Sequence, residues 1–181
     1  NLILGSESFK NAELKGNTCD GSSITYELTG GATMANTNSN RYFRWTTVGA
    51  YVAKGVTLCL SVMYKPVSGA DEFCMEIAYT AGYSTSQSWA TIKPTDQLEI
   101  EQTDGWVLRY GLWTPPDNAT LKLVDMGSGT THAGTGNYTN KFSLLHPMLQ
   151  YGNAPTAWNA SSGDYLTQES AKSLFSQTAD E

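Results

Sequence analysis

Short stretches that alternate between apolar and polar residues recur along the chain, and they constrain the fold more than any other feature. Val56 to Tyr64 has an apolar residue at every second position, and Phe73 to Tyr79 repeats that period. A two-residue period is typical of a β-strand with one buried face. Seven further stretches read as strands, with no helical period before residue 164: 23–28, 41–48, 88–92, 97–102, 105–113, 120–126 and 141–150.

Turn residues separate these stretches at short, regular intervals. Pro66 and Gly69 divide the first two strands, Pro94 ends a later one, and 114–118 contains two more prolines. Eight or nine short strands with such punctuation predict an all-β sandwich or barrel. A chain of 181 residues is long enough for one such domain to bury its own core.

Charge and cysteine usage narrow the function classes. The net charge of −6 argues against nucleic acid and anionic membrane surfaces as partners, because both attract cationic proteins. No segment is long and apolar enough to insert into a membrane.

Cys19, Cys59 and Cys74 are odd in number and lack a Cys-x-x-Cys spacing, so we expect buried free thiols. Cys59 and Cys74, on consecutive predicted strands, are the pair that would be neighbours.

The sequence offers no recognisable catalytic constellation. It has two histidines, His132 and His146, but neither a Gly-x-Ser-x-Gly elbow nor a zinc-ligand spacing. A glycosidase needs only two carboxylates. Four carboxylates cluster in sequence: Asp96, Glu99, Glu101 and Asp104. Nothing marks any of them as a buried acid, and we interpret the cluster as a solvated edge of the fold. We therefore expect a non-catalytic protein without a cofactor.

Aromatic residues are the remaining signal, with 5 Trp, 10 Tyr and 5 Phe. Most aromatics pack in cores, and we assign Trp45, Trp106 and Trp158 there. In the strand 105–113, alternation places Trp106 with Leu108, Tyr110 and Leu112 on the apolar face. The opposite, polar face then carries Val107, Arg109, Gly111 and Trp113.

An aromatic ring among polar neighbours is the chemistry that binds a sugar, whose C–H face stacks on the ring while its hydroxyl rim is hydrogen-bonded. Trp113, Trp89 and Tyr83 are the candidate stacking residues, and the alternative for each is packing. The candidate rim partners are Arg109, Arg44, Gln87 and Glu76.

Three segments resemble a known family. Leu145-His146-Pro147-Met148-Leu149-Gln150-Tyr151-Gly152-Asn153-Ala154-Pro155-Thr156-Ala157-Trp158 reads as a last strand, a turn and an aromatic plug that folds back onto the domain. Together with the entry strand Asn1-Leu2-Ile3-Leu4-Gly5-Ser6-Glu7-Ser8-Phe9, it resembles the carbohydrate-binding jelly-roll modules of bacteriophage tail and baseplate proteins. Asp104-Gly105-Trp106-Val107-Leu108-Arg109-Tyr110, followed by Pro116-Asp117-Asn118-Ala119, is similar to paired strands of galactose-binding-like carbohydrate-binding modules.

The resemblance covers residues 1–164 and implies a jelly-roll sandwich of two antiparallel sheets. It implies non-catalytic binding of host cell-surface polysaccharide, tail or baseplate proteins as partners, and a place in the virion after assembly in the bacterial cytoplasm. Such modules often hold a structural calcium, for which Glu7 with Asp125 or Asp164 is the candidate set, but the acidic pattern is thin and we expect no metal. The alternatives are a structural tail or scaffold domain and a binding module attached to a bacterial glycoside hydrolase.

The character of the chain changes at residue 165. Leu166, Ser170 and Leu174 have helical spacing, and Thr167 is a capping residue. We interpret 165–181 as the start of a helical stalk that would support a homo-oligomer, with a disordered tail as the alternative.

Overall fold

The computed structural model describes residues 1–16, 23–36, 40–129 and 138–161. Two short 3₁₀ turns, Phe9–Asn11 and Pro94–Asp96, accompany the strands. The strands are β1 (Glu13–Gly16), β2 (Ser23–Tyr26), β3 (Ala32–Ala35), β4 (Arg41–Thr46), β5 (Tyr51–Val52), β6 (Leu58–Ser68), β7 (Phe73–Ala81), β8 (Gln87–Ile92), β9 (Leu98–Glu101), β10 (Val107–Trp113), β11 (Ala119–Ser128) and β12 (Lys141–Tyr151).

The strands form two antiparallel sheets, which confirms the predicted all-β sandwich. The front sheet has the order β1-β4-β11-β7-β8, and β5 pairs with the first two residues of β11, Ala119 and Thr120. The back sheet has the order β2-β3-β12-β6-β10-β9. From β6 onward the chain passes repeatedly from one sheet to the other, so some neighbouring strands, such as β4 and β11 or β6 and β12, are distant in sequence.

The core lies between the two sheets and is rich in aromatic rings. Phe9 packs edge-on against both Phe43 and Trp45, with ring centroids 4.9 Å apart in each pair. Trp45 is 2% exposed, which confirms its predicted place in the core. A second group joins Tyr64 of the back sheet to Phe73 of the front sheet at 5.1 Å. These contacts hold the two sheets together.

Three strands were not expected from the sequence: β1, β3 and β5. They are short, and β1 and β5 each pair along one side only. Each has only two to four residues, too few for apolar alternation to be detected. Ala32 and Met34 of β3 are nevertheless completely buried, because β3 pairs with the long strand β12.

The end of the described chain returns to the domain, as expected. Trp158 stacks on His146 with ring centroids 4.5 Å apart, and its Nε1 donates a hydrogen bond to the Pro147 carbonyl at 3.2 Å. Its assignment to the core was wrong, because this contact lies on the outer face of the back sheet and leaves Trp158 partly exposed. Trp106 also lies outside the core, partly exposed near Lys65.

Cys59 and Cys74 are buried free thiols, as expected. They alternate with core residues in different sheets, so they point to opposite outer faces and are not neighbours. Burial raises the pKa of Cys59 to about 11 and that of Cys74 to about 12. Within the described ranges no helix has the length and apolar character needed to cross a membrane. Cys19, His132, Asp164 and the stalk interpretation of 165–181 lie outside the described residues.

Candidate functional site

The outer face of the front sheet gathers four of the seven predicted site residues. On β4, Phe43 points into the core, so Arg44 points outward. Cross-strand pairing places Asp125, Glu76 and Thr91 in one row with Arg44. Trp89 and Gln87 follow on the same face of β8, one and two rows further along.

Arg44 is held rigidly by Asp125. Its Nε donates to Asp125 Oδ1 at 2.8 Å and its Nη2 donates to Oδ2 at 2.7 Å. The Asp125 side chain is 0% exposed, and that of Arg44 is 18% exposed. These hydrogen bonds raise the pKa of the Arg44 guanidinium, against the opposing effect of burial. The guanidinium is therefore charged, and the bidentate geometry fixes its plane.

Arg44 and Trp89 meet above the middle of the sheet. Their strands are three strand spacings apart, about 14 Å, yet the guanidinium carbon lies 5.3 Å from the centre of the Trp89 ring. Tyr42 contacts the same guanidinium at 5.6 Å. Cation–π contacts of this kind orient the rings. Trp89 remains partly exposed, so it presents an oriented aromatic surface beside a fixed charge.

Glu76 is completely buried beneath this layer. It is the cross-strand partner of Asp125, and its Oε1 accepts a hydrogen bond from Thr91 Oγ1 at 2.8 Å. Hydrolysis of a glycoside requires carboxyl groups that reach the scissile bond. Asp125 and Glu76 are both completely buried in this structure.

Tyr83 and Gln87 lie at one end of the face. Tyr83 is fully exposed in the turn after β7, and Gln87 is exposed at the start of β8. Gln87 lies one row from Trp89 and two rows from Arg44 along the sheet. The structure thus brings Arg44, Trp89, Glu76 and Gln87 onto one face, with Tyr83 at its edge.

The predicted faces of β10 were wrong. Arg109 and Trp113 point between the sheets, and Leu112 points outward with 41% exposure. Trp113 packs against the core, with its ring 4.6 Å from that of Tyr79. The strand has apolar residues on both faces, so alternation alone did not identify the inner one.

Arg109 is 5% exposed and compensated by two carboxylates. It donates to Asp71 at 2.8 Å and to Glu99, and its guanidinium carbon lies 3.9 Å from the Tyr64 ring centre. Although burial works in the opposite direction, these hydrogen bonds leave the pKa of Arg109 raised. Arg109 and Trp113 do not join the outer face of the front sheet.

Tyr42, Asp125 and Thr91 were missed as members of this face. The alternation of β4 contained a signal for Tyr42. Tyr42 and Arg44 alternate with Phe43 and Trp45 along the strand, so they share its other face. Asp125 was considered only for a calcium site, whereas the structure pairs it with Arg44. Within the described part of the chain, no group of three or more His, Cys, Asp or Glu is arranged to hold a metal.

Neither a family model nor a curated protein matches this sequence. Solved structures with a similar fold include the enzymatically active domain of tailspike protein 4 of bacteriophage CBA120, at 12% identity and a TM-score of 0.50. They also include the CBM22-1–GH10 modules of Clostridium thermocellum xylanase 10B complexed with xylohexaose, at 13% identity and 0.50. A family 16 carbohydrate-binding module-2 has 14% identity and a TM-score of 0.47.

The matches cover most of this chain but only part of the larger proteins. The tailspike match spans 82% of this chain and 20% of the tailspike chain, and the xylanase match spans 83% and 28%. The family 16 module is covered over 99% of its length by 83% of this chain. The structural neighbours are thus carbohydrate-binding modules and a phage tailspike, as the resemblance implied. At these identities the likeness establishes the fold.

Proposed function

We propose that this chain is a non-catalytic carbohydrate-binding module and that the outer face of its front sheet holds the saccharide. One observation carries the proposal: Asp125 fixes Arg44 beside the partly exposed ring of Trp89. The ring offers a surface for the C–H face of a sugar, and the neighbouring polar groups offer hydrogen bonds to its hydroxyls. The fold shared with xylanase modules that were solved with xylohexaose supports a carbohydrate as the ligand.

The setting that we propose is a bacteriophage tail or baseplate, with host cell-surface polysaccharide as the ligand and other tail proteins as partners. The fold shared with the tailspike of bacteriophage CBA120 supports this setting. In this setting the chain would be part of the virion. A single shallow site binds weakly, and several copies on one particle would provide avidity. The xylanase likeness favours a second setting, a module attached to a glycoside hydrolase.

Glycan-array binding by the isolated chain, displayed as a multimer, tests the proposal. Trp89→Ala is expected to weaken binding at least about tenfold, the scale of a central aromatic contact. Trp106→Ala is the matched control, because Trp106 is also partly exposed but lies near Lys65 on the back sheet. Equal loss in both variants, or no binding by the wild-type multimer, contradicts the assigned face.

A reducing-end assay on every polysaccharide that binds tests the non-catalytic part of the proposal. We expect no turnover by the wild-type chain. Turnover that Glu76→Gln abolishes would identify the buried carboxylates as catalytic and overturn the proposal.

A further inference from the structure

A cavity of about 380 Å³ lies at one end of the front sheet. Tyr51, on β5, is 61% exposed, and Tyr83, in the turn after β7, is fully exposed. The start of β11 lies between β5 and β7, so the two tyrosines approach the cavity from opposite sides. We call this cavity the tyrosine pocket; it is lined by Tyr51, Ala81, Gly82, Tyr83, Asp117 and Asn118.

The floor of the tyrosine pocket is a fixed polar turn. The Gly82 amide donates to the Asn118 carbonyl at 2.7 Å, and the Lys54 amide donates to Asn118 Oδ1 at 2.9 Å. Asp117 Oδ1 accepts from the Asn118 amide at 2.7 Å. Because Asn118 Oδ1 is held by a backbone donor, the orientation of its Nδ2 is set as well. The turn therefore offers a donor, Asn118 Nδ2, next to an acceptor, Asp117 Oδ2.

Glycine at position 82 leaves room for this acceptor. A Cβ on Gly82 would lie 3.2 Å from Asp117 Oδ2, and the backbone there has a φ of +53°. The positive φ favours glycine at this position, and a Cβ would require the Asp117 carboxylate to shift by a few tenths of an ångström. The carboxylate oxygen thus remains accessible at the edge of the tyrosine pocket.

The tyrosine pocket continues the face that carries Arg44 and Trp89. Tyr51 is in register with Thr120, Thr80 and Gln87 in one outward row across the sheet. The row of Trp89 comes next, and the row of Arg44 follows. Successive rows are two residues apart along a strand, at about 3.3 Å per residue. The row of Tyr51 and the row of Arg44 therefore lie about 13 Å apart. This distance suits a short oligosaccharide that runs along the strands.

We infer that the tyrosine pocket is a distal subsite for the same saccharide chain that Trp89 and Arg44 hold, and this inference rests on the proposed function. The subsite takes a neutral sugar through two neighbouring hydroxyls. One hydroxyl donates to Asp117 Oδ2, the next accepts from Asn118 Nδ2, and a tyrosine ring packs on the sugar face. The negative charge of Asp117 disfavours an acidic sugar.

Calorimetry with a length series of the glycan that wild type binds tests the subsite. The probes run from the disaccharide to the hexasaccharide. Tyr83→Ala is expected to lower the affinity for the hexasaccharide about five- to tenfold, the scale of one lost ring contact, and to lower that for the disaccharide by a smaller factor. Tyr26→Ala is the control, because Tyr26 is an exposed tyrosine on the back sheet.

Each contrary result has a separate meaning. If wild type binds no glycan of any length, the proposed function fails and the subsite fails with it. If wild type binds but Tyr83→Ala and Tyr26→Ala give the same length dependence, the subsite alone is overturned. Equal loss for the disaccharide and the hexasaccharide also overturns it, because a distal contact contributes less to the binding of the shorter probe. Thermal unfolding of each variant verifies that its fold is intact.

Discussion

Asp125 is the residue on which the geometry of the candidate site depends. Its side chain is completely buried, and an ionised carboxylate in that position requires a compensating charge. Arg44 supplies it through two hydrogen bonds and is thereby placed between the Tyr42 and Trp89 rings. Removing the carboxylate would therefore affect stability and ring orientation together.

We expect Asp125→Asn to destabilise the fold by roughly 3 kcal/mol, the low end for breaking a buried ion pair, because part of Arg44 is exposed. Urea unfolding measures this. Glu13→Gln is the matched control, since Glu13 faces Arg44 from β1 but is exposed and pairs with Lys15. It should cost less than about 0.5 kcal/mol. Equal costs for the two amide substitutions would mean that the buried pair does not hold Arg44.

Tyr64 lies beside the second buried arginine, Arg109. Burial raises the pKa of Tyr64 to about 12, with a further contribution from the negative charge of Asp71. In the unfolded chain the phenol ionises near pH 10. Between about pH 10 and 12 the unfolded state therefore loses this proton before the folded state does, and stability falls as the pH rises.

We expect the phenolate absorbance difference between wild type and Tyr64→Phe to titrate near pH 12 in the folded protein. Urea unfolding across the same range should show a smaller alkaline loss of stability in Tyr64→Phe. A difference titration near pH 10 would show that Tyr64 is in contact with water.

The strand β10 makes a close contact with the opposite sheet at Gly111. Gly111 points inward, and a Cβ at this position would overlap with the side chain of Ile92 on β8 of the other sheet. The sheets approach closely at this point because position 111 has no side chain.

We expect Gly111→Ala to destabilise the protein by about 1–3 kcal/mol through overpacking. Ile92→Ala removes the atoms in conflict, so in the double variant the added methyl group should cost little. Chemical denaturation of the two single variants and the double variant gives the coupling energy directly. Additive costs would show that the sheets are not in contact at this position.

Elements with strong apolar alternation could be predicted, and elements or faces without it could not. The strands β6 and β7 were evident because every second residue is apolar. The short strand β5 was not, because it has two residues and is defined by its pairing with β11. The faces of β10 were inverted because the inner face holds Arg109 and Gly111, whose burial depends on Asp71, Glu99 and Ile92 elsewhere in the chain.

At the scale of the whole molecule, the sequence indicated the residue types of the site but not their assembly. Arg44, Trp89, Glu76 and Gln87 were chosen for their chemistry, and the order of strands in the front sheet then placed them together. Arg44 and Asp125 are 81 positions apart. Such contacts depend on which strands become neighbours, and apolar periodicity carries no information about that order.

The two ends of the described chain are secured on the back sheet, opposite the candidate site. Asn1 Oδ1 accepts from the Leu149 amide at 3.2 Å, and Asn1 Nδ2 donates to the Asn159 carbonyl at 3.0 Å. Trp158 stacks on His146, which has a φ of +57° at an irregularity in the pairing of β12. His146 therefore connects the closing segment to the sheet.

Burial lowers the pKa of His146. The residues that line the adjoining cavity carry no charge that would offset this effect: Ser61, Met63, Gln102, Leu108, Met148, Thr156, Ala157 and Trp158. The unfolded chain binds this proton near pH 6.5. As the pH falls below that value the unfolded state gains the proton first, so this contribution to stability is lost.

We expect His146→Asn, which tolerates the positive φ, to reduce the loss of thermal stability between pH 7.5 and about pH 5. Trp158→Ala should move the imidazole pKa, measured by NMR, back toward 6.5, because it exposes the ring. Both effects are expected without any change in saccharide affinity, since the candidate site lies on the other sheet. Parallel pH profiles for wild type and His146→Asn would mean that the closing segment is not held through this imidazole.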